Sequence, residues 1–518
     1  VNAHDQSAEQ PLVVGERVRA TPPPTAMVIV GGSGDLAHRK IVPALYNLEL
    51  HRLLPQNFQV VGSSRTEFSD DEYRRDMRKA VEEFSRTQPI QQQVWESFAS
   101  RLHYVTGSST DPDTFARVGD LLDHFDREWG TDGNRLFYLS LIPKLFPDTV
   151  RGIGKSGIGG RAWDGGWSRV VCEKPFGHDL ASARELQELL TKVFPEEDVF
   201  RIDHYLGKES VQNIIAFRFA NGIFEPVWNH HYVDHVQVTV AESIGIEHRG
   251  NFYETAGAIR DIIQNHALQV LALIAMEPPG TFEPEDVRNE KAKVLKALRR
   301  LEGEAVDAAV VRGQYGPGWV EGKQVPGYRE EPDVAPDSVV ETYVAGEFLV
   351  DNWRWAGTPF YLRTGKRLPK RATEVVVQFK AAPHLPFGQT AQDGLEPNAL
   401  VLRIQPDEGI TMKVGAKVPG PSLEVRSVNM DFSYGTSFAD DLPDAYERLL
   451  LDVMVGDPTL FPRWDSVELA WQAVQPILDR WASSDPPELP NYAAGEWGPK
   501  AADELIARKR PGRRWRRP

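Results

Sequence analysis

The feature that most constrains this chain is a short apolar run, Met27-Val28-Ile29-Val30, that stops in Gly31-Gly32-Ser33-Gly34. A continuous apolar run bounded by turn residues reads as a strand buried on both faces. The glycines allow a tight turn, and Asp35 is expected to cap the positive end of a helix running through Leu36, Leu45 and Leu48. Strand, glycine turn and helix in that order open a dinucleotide-binding domain.

Phe58 to Val61 and Leu136 to Leu141 read as further buried strands, and Asp70 to Phe98 as helical crossover material. A glycine- and tryptophan-rich loop from Gly152 to Trp167 precedes a strand at Arg169-Val170-Val171-Cys172 and reads as a mobile margin of the active site. Beyond residue 200 the texture changes. Strand candidates at Val236–Val240, Val339–Val350, Phe360–Leu362, Val375–Phe379, Val401–Ile404, Ile410–Val414 and Val428–Phe432 follow one another with few helices between them. That spacing favours a mainly antiparallel sheet, covered by helices at Ala258–Met276, at Glu290–Leu301 and after Pro443. The fold expected is an α/β Rossmann-like N-terminal cofactor domain followed by a larger α+β domain with a mainly antiparallel sheet. Its boundaries are a mobile lead-in over 1–25, a dinucleotide-binding domain over 26–200, an α+β domain over 201–485 and a C-terminal extension over 486–518.

A chain of 518 residues exceeds what one core usually organises, which agrees with two domains. The formal net charge of -15 disfavours nucleic acid and anionic membranes as partners, while leaving room for a local pocket that collects cations. No stretch reaches the roughly 18 consecutive apolar residues of a membrane span. The polar start VNAHDQSAEQ lacks the order of a secretory signal, so a cytoplasmic location is expected. The single cysteine, Cys172, reads as a small buried hydrophobe, and the basic run from Arg508 to Arg517 as a solvated tail.

Gly31 and Gly34 allow backbone to approach a pyrophosphate at a helix terminus, although the segment departs from G-x-G-x-x-G and alone equally suits an ordinary turn. The second strand ends in Ser63-Ser64-Arg65. Hydroxyls followed by arginine suit the 2′-phosphate of NADP, where a carboxylate would suit NAD; a surface arginine also needs no ligand to explain it.

Lys174, in Glu173-Lys174-Pro175-Phe176-Gly177, falls at the C-terminal mouth of a strand, where it either serves a ligand or is a solvated loop lysine. The densest polar group is Arg201-Ile202-Asp203-His204-Tyr205-Leu206-Gly207-Lys208-Glu209, which joins a carboxylate to an imidazole, a phenol and an ammonium suited to an anion. His266 follows Ile262 and Ile263 at helical spacing and is either a core histidine or a partly buried base. Asp261 is five residues away and misses the ideal i,i+4 spacing, so Asp203 is the leading candidate to orient it. Glu242 ends a strand candidate. His231 and His235 could share a face on a helix or a strand, but His230 and His231 diverge and the alternation Val236-Gln237-Val238 reads as structural, so no metal is expected.

The ordered motifs GGSGDLAHRK (31–40), EKPFG (173–177), RIDHYLGKE (201–209), RDIIQNH (260–266) and GTPFYLRTGK (357–366) resemble those of the glucose-6-phosphate dehydrogenase family over residues 26 to 485. The resemblance implies that His266 is the general base, Asp203 its orienting carboxylate, and Lys174 a lysine between nicotinamide and substrate. It implies that His204, Tyr205 and Lys208 hold a sugar phosphate, that Glu242 and Asp261 hold sugar hydroxyls, and that Lys366 and Arg371 complete the substrate site. Gly31, Gly32, Ser33, Gly34, Asp35, Leu36, Arg65, Tyr138 and Lys174 are implied at the cofactor. The implied reaction is oxidation of glucose 6-phosphate at C1 with NADP, NAD being the weaker alternative, in a homodimer or homotetramer built on the large sheet. One departure is clear: animal members hold a second, structural NADP, and two of its basic positions are here Ala372 and Val376. The competing readings are another EKP-bearing sugar or inositol dehydrogenase and a nonenzymatic nucleotide sensor.

Arg65 carries the first testable expectation. A charge-assisted hydrogen bond is worth roughly 1.5–3 kcal/mol, or about tenfold to a hundredfold in affinity. Arg65→Ala is expected to weaken NADP by that factor and spare NAD. An unchanged NADP-to-NAD ratio of catalytic efficiency, at matched ionic strength, would place discrimination elsewhere.

Overall fold

The computed structural model describes residues 21–160, 165–386, 395–437 and 443–518. Residues 1–20 of the expected lead-in lie outside the described residues, and strand β1 begins at Thr25.

Strands β1 (Thr25–Val30), β2 (Phe58–Ser64), β3 (Leu102–Thr106), β4 (Arg135–Leu139), β5 (Ser168–Cys172) and β6 (Val199–Arg201) form a parallel sheet in the order β3-β2-β1-β4-β5-β6. β1 and β4 are buried at every position, as central strands covered on both faces must be. The sheet is the doubly wound arrangement that the opening strand and turn implied. β3, short and only partly apolar, carries no comparable local signal.

The second half contributes β7 (Val233–Ala241), β8 (Val310–Gly313), β9 (Tyr315–Gly316), β10 (Gly318–Val320), β11 (Lys323–Val325), β12 (Tyr343–Leu349), β13 (Pro359–Gly365), β14 (Ala372–Phe379), β15 (Ala399–Gln405), β16 (Gly409–Lys417), β17 (Val425–Ser433) and β18 (Tyr492–Ala493). Eight of these form one sheet ordered β17-β16-β15-β14-β7-β13-β12-β8. It is antiparallel except for β13 against β7. That parallel seam pairs Gly365 with Ala241, so the residues that follow, Lys366 and Glu242, leave the sheet side by side.

The helical cover at Ala258–Met276 has an unexpected geometry. Ile259–Ala267 is a π-helix that continues into the α-helix Leu268–Ala275. It starts after Gly257, whose φ of +61° is open to glycine, and a Cβ there would lie 2.4 Å from Glu341 Oε1. The same Glu341 oxygen accepts from the Ile259 N–H at 3.1 Å and so satisfies one donor of the helix start.

Three local expectations are corrected. Asp35 already lies in helical backbone and turns to Arg39 at 2.7 Å, an i,i+4 pair, so its carboxylate is no cap. Gly152 to Lys155 belong to the helix Phe146–Lys155, and residues 161–164 of the expected loop lie outside the described residues. Its described residues, 152–160 and 165–167, lead to the N-terminal end of β5 and are not among those lining the cleft described below. Finally, the basic C-terminal run is no solvated tail. Trp515 is 4% exposed, gives its indole N–H to Ala502 O at 2.9 Å and stacks on the Arg363 guanidinium 4.6 Å away. Arg510 and Arg513 pair with the buried Asp234, and Arg516 with the buried Glu374. Two carboxylates on β7 and β14 would otherwise be buried uncompensated, and the arginines neutralise them.

Cys172 is 1% exposed, and burial pushes its thiol up to about 12, so it behaves as the inert small hydrophobe its surroundings suggest.

The C-terminal segment around Trp515 is part of a core. Trp515→Ala is expected to cost about 3–5 kcal/mol and lower the thermal midpoint. A midpoint matching wild type would show that the C-terminal segment contributes no packing.

Candidate active site

The two sheets meet at a cleft of about 1030 Å³, formed by the ends of strands and by the π-helix. β5 and β6 pair in parallel with Cys172 opposite Arg201. The chain leaving β5 carries Lys174, and the chain leaving β6 carries Asp203, His204, Tyr205 and Lys208. From the other sheet come Glu242 after β7, Lys366 after β13 and Arg371 just before β14. Asp261 and His266 enter from the π-helix, and all of these except Asp203 line the cleft.

His266 is fully buried. Its Nδ1 lies 2.5 Å from Asp203 Oδ1, an oxygen that also accepts from the Tyr205 N–H at 3.0 Å. The imidazole stacks on the Tyr205 ring, with centroids 4.2 Å apart and planes 16° apart, and meets His204 edge to face at 4.6 Å. The other nitrogen, Nε2, has no hydrogen-bond partner among the described residues. A ring held on one nitrogen with the second free is built to exchange a proton there.

The charges agree with this. Burial lowers the His266 pKa and the Lys174 charge lowers it further, against the opposing pull of Asp203, so the ring is a neutral base near pH 7. Burial alone would raise Asp203, but His266 and Lys174 outweigh it and hold the carboxylate ionised. His204 is driven well down by burial and by His266 and Lys174, which keeps it neutral.

Asp261 stands among cations. Lys174 Nζ donates to its backbone oxygen at 2.9 Å and to Oδ1 at 3.1 Å, and Lys366 approaches Oδ2 at 3.9 Å. These charges overcome burial and depress the carboxyl strongly. Lys366 also donates to Glu242 Oε2 at 2.5 Å. As the spacing implied, Asp203 and not Asp261 bonds His266; the i→i+5 bonding of the π-helix brings residues five apart onto one face, so Asp261 lines the cleft together with His266.

Lys208 and Arg371 also line the cleft, together with Glu209, Glu408 and Asp444. Lys208 bonds Gln405 and lies 4.5 Å from the Tyr205 ring centroid; Arg371, exposed, donates to the same Gln405 oxygen at 3.3 Å. Tyr205 OH lies 3.3 Å from Thr373 Oγ1. Arg39, Lys40, Gln405 and Tyr446 join this rim without having been singled out. Lys40 pairs with Asp444 at 2.9 Å. Arg39 and Lys40 both lie inside GGSGDLAHRK, and their charge is the signal the sequence carries. Gln405, Thr373 and Tyr446 sit in no motif, because distant strand pairing alone brings them here.

At the glycine turn, Gly31 has φ +93°, and a Cβ there would lie 2.1 Å from Ser140 O. A Cβ on Gly32 would lie 2.7 Å from Gly62 Cα, and Gly34 donates its N–H to Gly31 O at 2.9 Å. The turn is thus compact, with Asp35 and Leu36 starting the helix. Ser33 Oγ lies 2.6 Å from Ser64 Oγ and 2.9 Å from Thr66 Oγ1, a hydroxyl group cluster beside the exposed Arg65. Tyr138 is buried on β4 and donates to Glu173 Oε1 at 2.6 Å; Tyr446 donates to the same oxygen at 3.1 Å. Compact backbone, a helix start and a hydroxyl and guanidinium edge fit a phosphorylated dinucleotide.

His230 and His231 have ring centroids 3.9 Å apart, and His235 bonds Asp234 and Gln237. Among the described residues no group of three or more His, Cys, Asp or Glu side chains is arranged to hold a metal ion. No helix among them is long and apolar enough to cross a membrane.

Comparison with known proteins agrees in both halves. The family model for the glucose-6-phosphate dehydrogenase NAD binding domain matches residues 28–213, and that for the C-terminal domain of the same family matches 215–516. The chain is 52% identical over 495 residues to glucose-6-phosphate 1-dehydrogenase 2 of Mycobacterium tuberculosis H37Rv, covering 96% of this chain and 95% of that one. It is 41% identical over 487 residues to glucose-6-phosphate 1-dehydrogenase of Bacillus subtilis 168, covering 94% and 97%. A solved structure of glucose-6-phosphate dehydrogenase in complex with glucose-6-phosphate superposes with a TM-score of 0.86 at 35% identity, over 96% of this chain and 99% of that one. The Mycobacterium avium enzyme does so with a TM-score of 0.81 at 37% identity, over 96% and 99%.

Lys208 gives a pH dependence. Burial, and then Arg371, push its ammonium down to about 8, so it is charged below that pH and loses its proton above it. Affinity for a phosphate-bearing ligand is expected to hold below pH 8 and fall above it, approaching about tenfold per unit where binding requires the charge. Calorimetric titration of wild type and Lys208→Met across this range is the check; a wild-type affinity flat above pH 8 would free Lys208 of this role.

Proposed function

The chain belongs to the glucose-6-phosphate dehydrogenase family, and from that premise we propose how its residues divide the work. The reaction is the oxidation of glucose 6-phosphate at C1 to 6-phosphoglucono-1,5-lactone with NADP, the first oxidative step of the pentose phosphate pathway. NADP, when bound, supplies the acceptor for the hydride that leaves C1.

The observation that carries the assignment of roles is the state of His266. Nδ1 is committed to Asp203 at 2.5 Å, while the buried Nε2 has no partner among the described residues. His266 is the general base: Nε2 takes the proton of the C1 hydroxyl. Asp203 orients the ring and stabilises the imidazolium that results. Lys208, His204, Tyr205 and Arg371 hold the phosphate, which fixes C1 at a distance from it without the phosphate reacting. Glu242, Asp261 and Lys366 hold the sugar hydroxyls. Lys174 reaches the Asp261 carboxylate from the cofactor side, which supports its place between cofactor and substrate.

The dinucleotide is held by Gly31 to Leu36, by Tyr138 and Lys174, and by Arg65 at the 2′-phosphate. The ordered division into a cofactor domain up to about residue 200 and a substrate domain beyond it follows this assignment. Assembly as a homodimer or homotetramer uses the large sheet, whose β17 carries Val428 at 43% and Met430 at 61% exposure. The location is cytoplasmic, and neither nucleic acid nor membrane is a partner, in keeping with the net charge of -15.

His266→Asn preserves much of the packing but removes the base, and is expected to slow the hydride-transfer step by roughly two or more orders of magnitude. Asp203→Asn also lowers turnover. Single-turnover reduction of NADP measures both, and a near-wild-type rate in H266N would reject the assignment.

A further inference from the structure

The helix Leu268–Ala275, which continues the π-helix of His266, is buried along its whole length and carries one polar side chain, Gln269. Gln269 is 2% exposed and stands three residues beyond His266. Its carbonyl oxygen, Oε1, is buried without a hydrogen-bond partner among the described residues. A buried amide oxygen in an apolar helix is costly unless something donates to it.

Gln269 lines a second, small cavity of about 40 Å³ together with Asp203 and Arg201. Arg201 and Asp203 are two residues apart on extended chain, whose pairing with β5 continues through the bond from the Ile202 N–H to Cys172 O at 2.9 Å, so their side chains fall on one side. Each brings an atom left over from its other bonds. The Arg201 Nη groups are committed to both carboxylate oxygens of Glu196, at 2.8 Å each, and to Gln187, while Nε has no partner among the described residues. Asp203 Oδ1 accepts from His266 and from the Tyr205 N–H, while Oδ2 is buried and equally unpartnered. Asp203 lines this chamber and His266 lines the cleft, so the pair stands in the wall between the two, and Lys174 lines both.

Two acceptors, Asp203 Oδ2 and Gln269 Oε1, and one donor, Arg201 Nε, are the complement of a water molecule, which donates twice and accepts. A buried water makes about three hydrogen bonds, and the chamber exceeds the roughly 10–15 Å³ that one water needs. We propose that Gln269 is a positioning residue for the reaction: through ordered water held in this chamber it fixes the second oxygen of Asp203, and with it the plane of the carboxylate that orients His266. The proposal rests on the reading of His266 as the base. The carboxylate torsion of an aspartate is soft, and bonds to Oδ1 alone leave the group free to turn about that oxygen. A bond to Oδ2 removes this freedom. Because Gln269 rides the helix that carries His266, base and carboxylate are then referred to one element. The water is a strut and takes no proton from the substrate.

A crystal structure of the wild-type protein at a resolution that shows ordered water is the direct test. Water is expected in the chamber within about 3.2 Å of Asp203 Oδ2, reaching Gln269 directly or through one further water. A dry chamber, or water that touches Asp203 without reaching Gln269, overturns the proposal. This readout needs no variant and decides by itself if a variant fails to fold.

Kinetics separate polarity from packing. Gln269→Met keeps the length of the side chain and removes its amide, whereas Gln269→Asn keeps the amide and leaves room for one more water. With thermal unfolding used to establish folding, Q269M is expected to slow single-turnover hydride transfer about threefold to tenfold, with KM for glucose 6-phosphate within about twofold of wild type, and Q269N to stay near the wild-type rate. An unchanged rate in Q269M overturns the proposal. So does an equal loss in Q269N, because length would then be responsible, or a rise in KM as large as the fall in rate, because the substrate site itself would then be disturbed. Each of these failures leaves the loss of hydride transfer in H266N intact, whereas an active H266N removes the base assignment itself.

Discussion

Every distance in the cleft is referred to one buried contact, the bond between Asp203 Oδ1 and His266 Nδ1. Its partners come from different sheets. Asp203 lies in the chain leaving β6, while His266 rides a helix packed on the second sheet. Because both groups are buried, the bond works in a medium where an unpaired carboxylate would be costly, and it ties the two halves together at the point where a proton must move. Glu447, also buried, makes a second tie by accepting from Arg86 Nε at 2.7 Å and Asn47 at 3.0 Å.

Much of this was legible in the residues because it is local. The strand ending in Gly31-Gly32-Ser33-Gly34, the lysine after β5 and the polar cluster after β6 are each short segments whose chemistry depends on near neighbours. The strand candidates of the second half appear as β7 and β12 to β17, since alternation and β-branched residues mark them. What escaped is non-local or depends on exact helical period. Nothing near Gln405 or Thr373 indicates that strand pairing will set them beside Tyr205 and Lys208. The arginines near the C-terminus look solvated until Asp234 and Glu374 are seen to need them. The π-helical winding of Ile259–Ala267, which sets Asp261 and His266 on one wall, has no signal in the apolar spacing that marks the helix.

The cleft also explains how an acidic protein accommodates an anion. Lys174 and Lys366 are balanced by Asp261 and Glu242 in the centre, whereas Lys208 and Arg371 converge on a neutral amide oxygen of Gln405. Lys208 and Arg371 are thus held by an uncharged partner, with Glu209, Glu408 and Asp444 lining the same cleft. An anionic group is attracted to these two cations, and the overall charge of -15 has little influence at such short range.

The π-helix has a consequence for how this enzyme tolerates change in length. Its wider winding, from Ile259 to Ala267, stores one surplus residue in a stretch whose two ends are anchored, by Glu341 at the start and by the apolar helix Leu268–Ala275 at the finish. Excising a single residue within it would let the backbone relax into ordinary α-helical hydrogen bonding, a locally more favourable state. The same excision would rotate Asp261 away from the wall it shares with His266. Shortening this segment by one codon therefore trades a gain in helical regularity against the alignment of two functional groups, and the irregular form is the one that keeps them together.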